Sequence, residues 1–104
     1  MLTINEIKFM AERTIGWEVE TYQDIIYIHS EVDVLSQFNL KEARSTKVYV
    51  PLLLSQFCDQ NNIDIRFNLP YETARFRLPG KPVSFKTYKS ADDARIAALK
   101  EIMK

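Results

Sequence analysis

One histidine (His29), one cysteine (Cys58) and two glycines (Gly16 and Gly80) are all that this chain of 104 residues holds of three types on which much protein chemistry depends. A structural zinc site takes four ligands, mostly Cys and His, and a catalytic one takes three. Nucleophilic catalysis by cysteine needs a partner base held beside the thiol. Phosphate-cradling loops need glycines a few residues apart. None of these patterns is present. A lone cysteine closes no internal disulfide, which points to a reducing compartment. The densest apolar run, Val48–Leu54, is far short of the roughly 20 residues that span a bilayer. No basic start leads into an apolar stretch, so no secretory signal is expected. The chain reads as cytoplasmic, without a membrane anchor, metal or cofactor.

What is present is an ordinary globular composition, 46% apolar and 12% aromatic, with zero formal net charge. Disorder is excluded by that apolar content, and the length suits one domain spanning residues 1–104. The charge is unevenly spread. Gly16–Leu35 contains Glu18, Glu20, Asp24, Glu31 and Asp33 and no Lys or Arg. Ile63–Lys89 carries Arg66, Arg75, Arg77, Lys81, Lys86 and Lys89 against Asp64 and Glu72. Such a split describes either two solvated faces or two interaction surfaces.

Hydrophobic periodicity gives the order of elements. Thr3 and Glu6 have the T-x-x-E spacing of a capping box, and Ile4, Ile7, Ala11 and Thr14/Ile15 recur at helical spacing, predicting a helix over Thr3–Ile15 closed by Gly16. Trp17–Thr21 alternates as a half-buried strand, and the β-branched and aromatic Asp24–Ser30 reads as a second, covered one. Glu31–Lys47 has weak periodicity and reads as irregular. Pro51 suits the first turn of a helix, Leu53, Leu54, Phe57 and Cys58 form its apolar stripe, and Asn61-Asn62 ends it.

Ile63, Ile65, Phe67 and Leu69 alternate with polar residues, as do Ala74, Phe76 and Leu78. These two runs predict an antiparallel hairpin joined at Pro70-Tyr71-Glu72. Pro79-Gly80-Lys81-Pro82 turns the chain into a third strand at Val83–Thr87. Ser90 and Asp93 cap a last helix, Ala91–Met103, whose Ala94 and Ala98 permit close packing. The expected fold is α+β, a largely antiparallel sheet of about five strands packed with three helices in the order α-β-β-α-β-β-β-α.

The segment Ala11-Glu12-Arg13-Thr14-Ile15-Gly16-Trp17 resembles the helix-ending A-E-x-x-(hydrophobic)-G-W of small phage proteins with the phage ABA sandwich domain. The middle helix after Ser45-Thr46, the strands that follow and the alanine-rich Ala94–Leu99 are similar to that pattern in order. The resemblance implies a small α-β-α accessory protein of a phage or mobile element, without assigned chemistry or catalytic residues.

Individual residues sharpen these expectations. His29 has Ser30 and Glu31 beside it, but adjacent strand residues face opposite ways, and no second histidine supports general-base chemistry. Cys58 lies on an apolar stripe, where a thiol is inert. Asp92 and Asp93 complement a helix N-terminus. No catalytic residue is expected, and the chain reads as a non-enzyme.

Two surfaces remain. Glu18, Glu20, Asp24, Glu31 and Asp33, with Tyr22 as an aromatic anchor, would suit a protein partner with a positively charged cleft, such as a host nucleic-acid enzyme or defence nuclease that the chain inhibits or modulates. Arg66, Arg75, Arg77 and Lys86, with Tyr88 and Tyr71 nearby, would suit RNA or single-stranded DNA, since arginines hold phosphates and aromatic rings stack on unpaired bases.

Overall fold

The computed structural model describes residues 2–23, 25–30, 36–39, 44–45 and 50–104. The chain divides into two compact units, Met1–Leu53 and Leu54–Lys104. Its elements are α+β: three helices and two separate antiparallel sheets, one of four strands and one of two.

The first unit begins with α1 (Ile4–Glu12). The capping box forms as its spacing predicts: the Glu6 amide donates to Thr3 Oγ1 at 3.2 Å and the Thr3 amide donates to Glu6 Oε1 at 2.8 Å. Both free amides at the helix start are thereby satisfied. Ile7, Met10 and Ala11 are buried. The helix stops at Glu12 rather than Ile15: Arg13, its C-cap, takes φ −111° and ψ 12°, and the Arg13 and Thr14 amides reach back only three residues, to the Met10 and Ala11 carbonyls. The Thr14 hydroxyl donates to the Met10 carbonyl at 2.6 Å. A turn follows, in which the Trp17 amide donates to the Thr14 carbonyl and Gly16 sits at φ 96°. Gly16 therefore serves that turn and not the helix cap, and of Thr14 and Ile15 it is Thr14 that is buried, while Ile15, at the corner, is 86% exposed.

From that turn β1 (Trp17–Tyr22) pairs antiparallel with β2 (Ile25–Ser30), running from Trp17 opposite Ser30 to Tyr22 opposite Ile25. Gln23, at φ 54°, supplies the left-handed conformation of the tight connection. Ile26 and Ile28 are buried. β2 continues the sheet onto β3 (Ser36–Asn39), and β3 pairs with the short β4 (Arg44–Ser45). Two strands thus lie where irregular structure was expected. Pairing makes them strands, β3 with β2 and β4 with β3, since Ser36-Gln37-Phe38-Asn39 carries one apolar residue and Arg44-Ser45 is too short for any pattern.

Helix α2 (Val50–Gln60) has Pro51 in its first turn, as anticipated. Leu53, Leu54, Phe57 and Cys58 are each 1% exposed. Its end is a Schellman arrangement: the Ile63 amide donates to the Cys58 carbonyl, and Asn62 takes φ 58°. Asn61 adds its side-chain amide to the Phe57 carbonyl at 2.8 Å.

The second unit holds the hairpin of β5 (Asp64–Asn68) and β6 (Thr73–Arg77). A single turn of 3-10 helix, Leu69–Tyr71, and Glu72 at φ 49° connect them. The register is Asp64 opposite Arg77, Ile65 opposite Phe76, Arg66 opposite Arg75, Phe67 opposite Ala74 and Asn68 opposite Thr73. Leu78 to Lys81 closes a turn with Gly80 at φ 73°. Val83–Thr87 is not the third strand that alternation predicted: it touches the β6 edge at Ser84 and, through an isolated bridge, at Tyr88. The single five-stranded sheet is therefore corrected to two sheets, and the order to α-β-β-β-β-α-β-β-α.

Helix α3 (Ala91–Ile102) starts at Ser90, whose Oγ accepts from the Asp93 amide at 3.1 Å. It packs against β6 and β5. Ala94, Ala98 and Leu99 are fully buried, as is Ala74 on β6. Small side chains on both elements let the helix lie close to the hairpin.

Candidate nucleic-acid interface

Side chains alternate across a strand, so the hairpin has two unlike faces. Ile65, Ala74 and Phe76 share one and are buried or half-buried. Arg66 and Asn68 on β5, with Thr73 and Arg75 on β6, share the other. These four residues line an open groove of about 880 Å³ together with Phe67, Pro70, Tyr71, Val83 and Thr87. No carboxylate, histidine or cysteine is among the lining residues described.

The groove is ordered in rungs. The Arg66–Arg75 rung is cationic, and the Asn68–Thr73 rung beside it offers an amide and a hydroxyl. Tyr71, in the connection, is 76% exposed, and Phe67 is 49% exposed despite its place in the apolar alternation. The two guanidiniums stand on directly opposed residues, where Cβ atoms lie roughly 4.5–5.5 Å apart. Arg66 Nε donates to Asp64 Oδ2 at 3.3 Å, between side chains that are both 56% exposed. Among the described residues Arg75 has no ion pair or hydrogen bond through its side chain, and neither do Tyr71 and Asn68. A pair of adjacent guanidiniums with donors to spare is suited to a phosphate, which takes bidentate hydrogen bonds from Arg.

Other basic residues lie apart from this groove. Arg77 is opposite Asp64, and its Nε donates to the Lys81 carbonyl at 3.1 Å, bracing the turn at Gly80. Lys86 Nζ sits 5.7 Å from the centre of the Tyr88 ring. Tyr88 is half-buried, its ring 6.0 Å from that of Phe76. Of the basic set, the fold therefore brings together Arg66 and Arg75 and gives Arg77, Lys86 and Tyr88 structural contacts. Phe67, Pro70, Val83 and Thr87 were not singled out as site residues. The Phe67 alternation signalled burial, and nothing local marks Val83 or Thr87 as neighbours of Arg75.

Of the acidic set, Glu18, Glu20 and Tyr22 lie on one face of β1 and are exposed, Tyr22 by 67%. Glu18 is opposite His29 and Glu20 opposite Tyr27. Asp24, Glu31 and Asp33 lie outside the described residues. Cys58 is buried, and its thiol is pushed up to about 11, first by loss of solvent and then by the carboxylates of Asp59 and Asp92, with Arg95 opposing. At neutral pH it carries a proton and is a poor nucleophile. Among the described residues no group of His, Cys, Asp and Glu could hold a metal ion, and no helix is long and apolar enough to cross a membrane.

Comparison with protein-family models, with curated proteins and with solved structures finds no match. The functional reading rests on the chain's own residues.

Proposed function

We propose that this protein binds single-stranded nucleic acid through the β5–β6 groove, with a phosphate held between Arg66 and Arg75 and an unpaired base against Tyr71. The observation that carries this reading is the register that sets Arg66 directly opposite Arg75 at the wall of an open groove with an exposed tyrosine. Like charges directly opposed on a sheet destabilise it. A polyanion turns that repulsion into attraction. The exposed ring favours single strands, because a base must be unstacked before its face can meet an aromatic side chain.

The test is fluorescence polarisation of short labelled RNA and single-stranded DNA at low and moderate salt. Binding should weaken with salt, and Arg66→Ala with Arg75→Ala should reduce the slope of log K against log [salt] by about 0.7, the value for the one phosphate that the pair holds. Salt-insensitive binding, or none, would remove the reading.

The exposed Glu18-Glu20-Tyr22 face of β1 supports a second reading, in which the chain modulates a basic protein partner, a host nucleic-acid enzyme in particular. Opposite charges would steer that encounter.

A further inference from the structure

The outer edge of β6 is covered by the segment after Gly80 in an uneven way. The Ser84 amide donates to the Phe76 carbonyl at 2.8 Å, and Ser84 Oγ accepts from the Phe76 amide at 3.2 Å. The same hydroxyl donates to the Lys86 carbonyl at 3.1 Å. Further along, the Tyr88 and Ala74 backbones exchange hydrogen bonds of 2.8 and 2.7 Å. In a regular antiparallel ladder, placing Ser84 beside Phe76 would place Lys86 beside Ala74. Tyr88 is there instead. Two extra residues are therefore accommodated, and Phe85, Lys86 and Thr87 together stand beside Arg75 alone.

This is a bulge, tied down at both ends. Bulges re-aim side chains and recur beside binding sites. The residue presented here is Phe85, 97% exposed, the most exposed large hydrophobic residue among those described. Val83 and Thr87, on either side of it in sequence, both line the groove. An aromatic ring left almost wholly in water is unfavourable, and the hydrogen bonds around Ser84 and Tyr88 hold the segment that displays it.

Resting on the nucleic-acid reading above, we infer that Phe85 is a second stacking platform, on the far side of the arginine pair from β5, for another unpaired base of the same strand. The row across the sheet then runs from Arg66 through Arg75 to the bulge. A strand held by its phosphate at the arginines can place one base toward Tyr71 and another on Phe85. The occupant is single-stranded nucleic acid because the cationic rung lies in the same row and the groove lining continues to both flanks of Phe85.

The test is polarisation of fluorescein-labelled oligouridylates, a dinucleotide and a hexanucleotide, with the full chain, Phe85→Ala, Phe85→Trp and the Arg66→Ala/Arg75→Ala double variant. Phe85→Ala should weaken hexanucleotide binding about tenfold, the usual effect of losing one stacked base, and leave dinucleotide binding unchanged. Phe85→Trp should restore it, with its indole fluorescence quenched on binding. The melting temperature should stay constant, since Phe85 is 97% exposed. If Phe85→Ala binds the hexanucleotide like the parent while the arginine variant does not, the platform is overturned and the groove reading stands. If the parent binds neither oligonucleotide, both fall.

Discussion

Arg66 and Arg75 set two like charges directly opposite each other on the hairpin, an arrangement that costs a sheet stability. Each could have been any residue tolerant of an exposed strand position, and the pair as found repels. Asp64 answers part of the charge through its 3.3 Å contact with Arg66 Nε, but an exposed ion pair of this kind contributes little. Arg75 has no such partner among the described residues. Replacing Arg75 by Thr should therefore stabilise the free protein, by about 0.2–1 kcal/mol, through relief of the cross-strand repulsion and the β preference of Thr. The same change should weaken oligonucleotide binding. Urea unfolding and polarisation on one preparation check both effects. An unchanged or lower urea midpoint would mean that the repulsion is already relieved in the native state.

The hairpin and the segment that follows it act as one device, in which hydrogen bonds to β6 set where the groove wall stands. Ser84 is the central tie, because its side chain satisfies the Phe76 amide and the Lys86 carbonyl at once. Ser84→Ala should leave the Phe76 amide without a partner and cost about 1 kcal/mol. Amide exchange should quicken at Phe76 and stay slow at Ala74, whose bond to the Tyr88 carbonyl is untouched. Equal acceleration at both amides would mean that the whole segment is released together. This device was only half legible in the sequence. Alternation in Ile63–Leu78 foretold the hairpin and the outward Arg66, Arg75 and Arg77, and the caps of α1 and α2 followed from Thr3, Glu6 and Asn61-Asn62. The bulge was invisible, since two extra residues alter the partner of Arg75 without altering any local pattern. β3 and β4 are hidden for a related reason: β3 is a strand because it pairs with β2 and β4 because it pairs with β3, partners that Ser36–Asn39 and Arg44–Ser45 do not encode by themselves. Of the groove's aromatic lining, Tyr71 is legible in the sequence, whereas Phe67 is not, because its exposure contradicts the alternation that predicts its burial.

Zero net charge conceals a division between the two units. Residues 1–53 contain eight acidic and five basic side chains, and residues 54–104 contain six acidic and nine basic ones. Long-range attraction to a polyanion follows the summed field, whereas the grip on a bound phosphate follows the local guanidiniums. The two contributions separate in the variant Glu18→Lys with Glu20→Lys, which raises the formal net charge from 0 to +4 and alters two exposed positions on β1. If the groove is the contact, association with single strands should quicken at low salt while dissociation keeps its rate. The gain should fade near physiological ionic strength, where screening confines charge effects to roughly 8 Å. Stopped-flow measurements at two salt concentrations separate these rates. A changed dissociation rate would place Glu18 and Glu20 at the contact itself. If a basic protein is the partner, the same reversal should abolish capture outright, because the charges that steer the encounter would then repel it. One variant thus distinguishes a surface that only sets the field from a surface that is gripped.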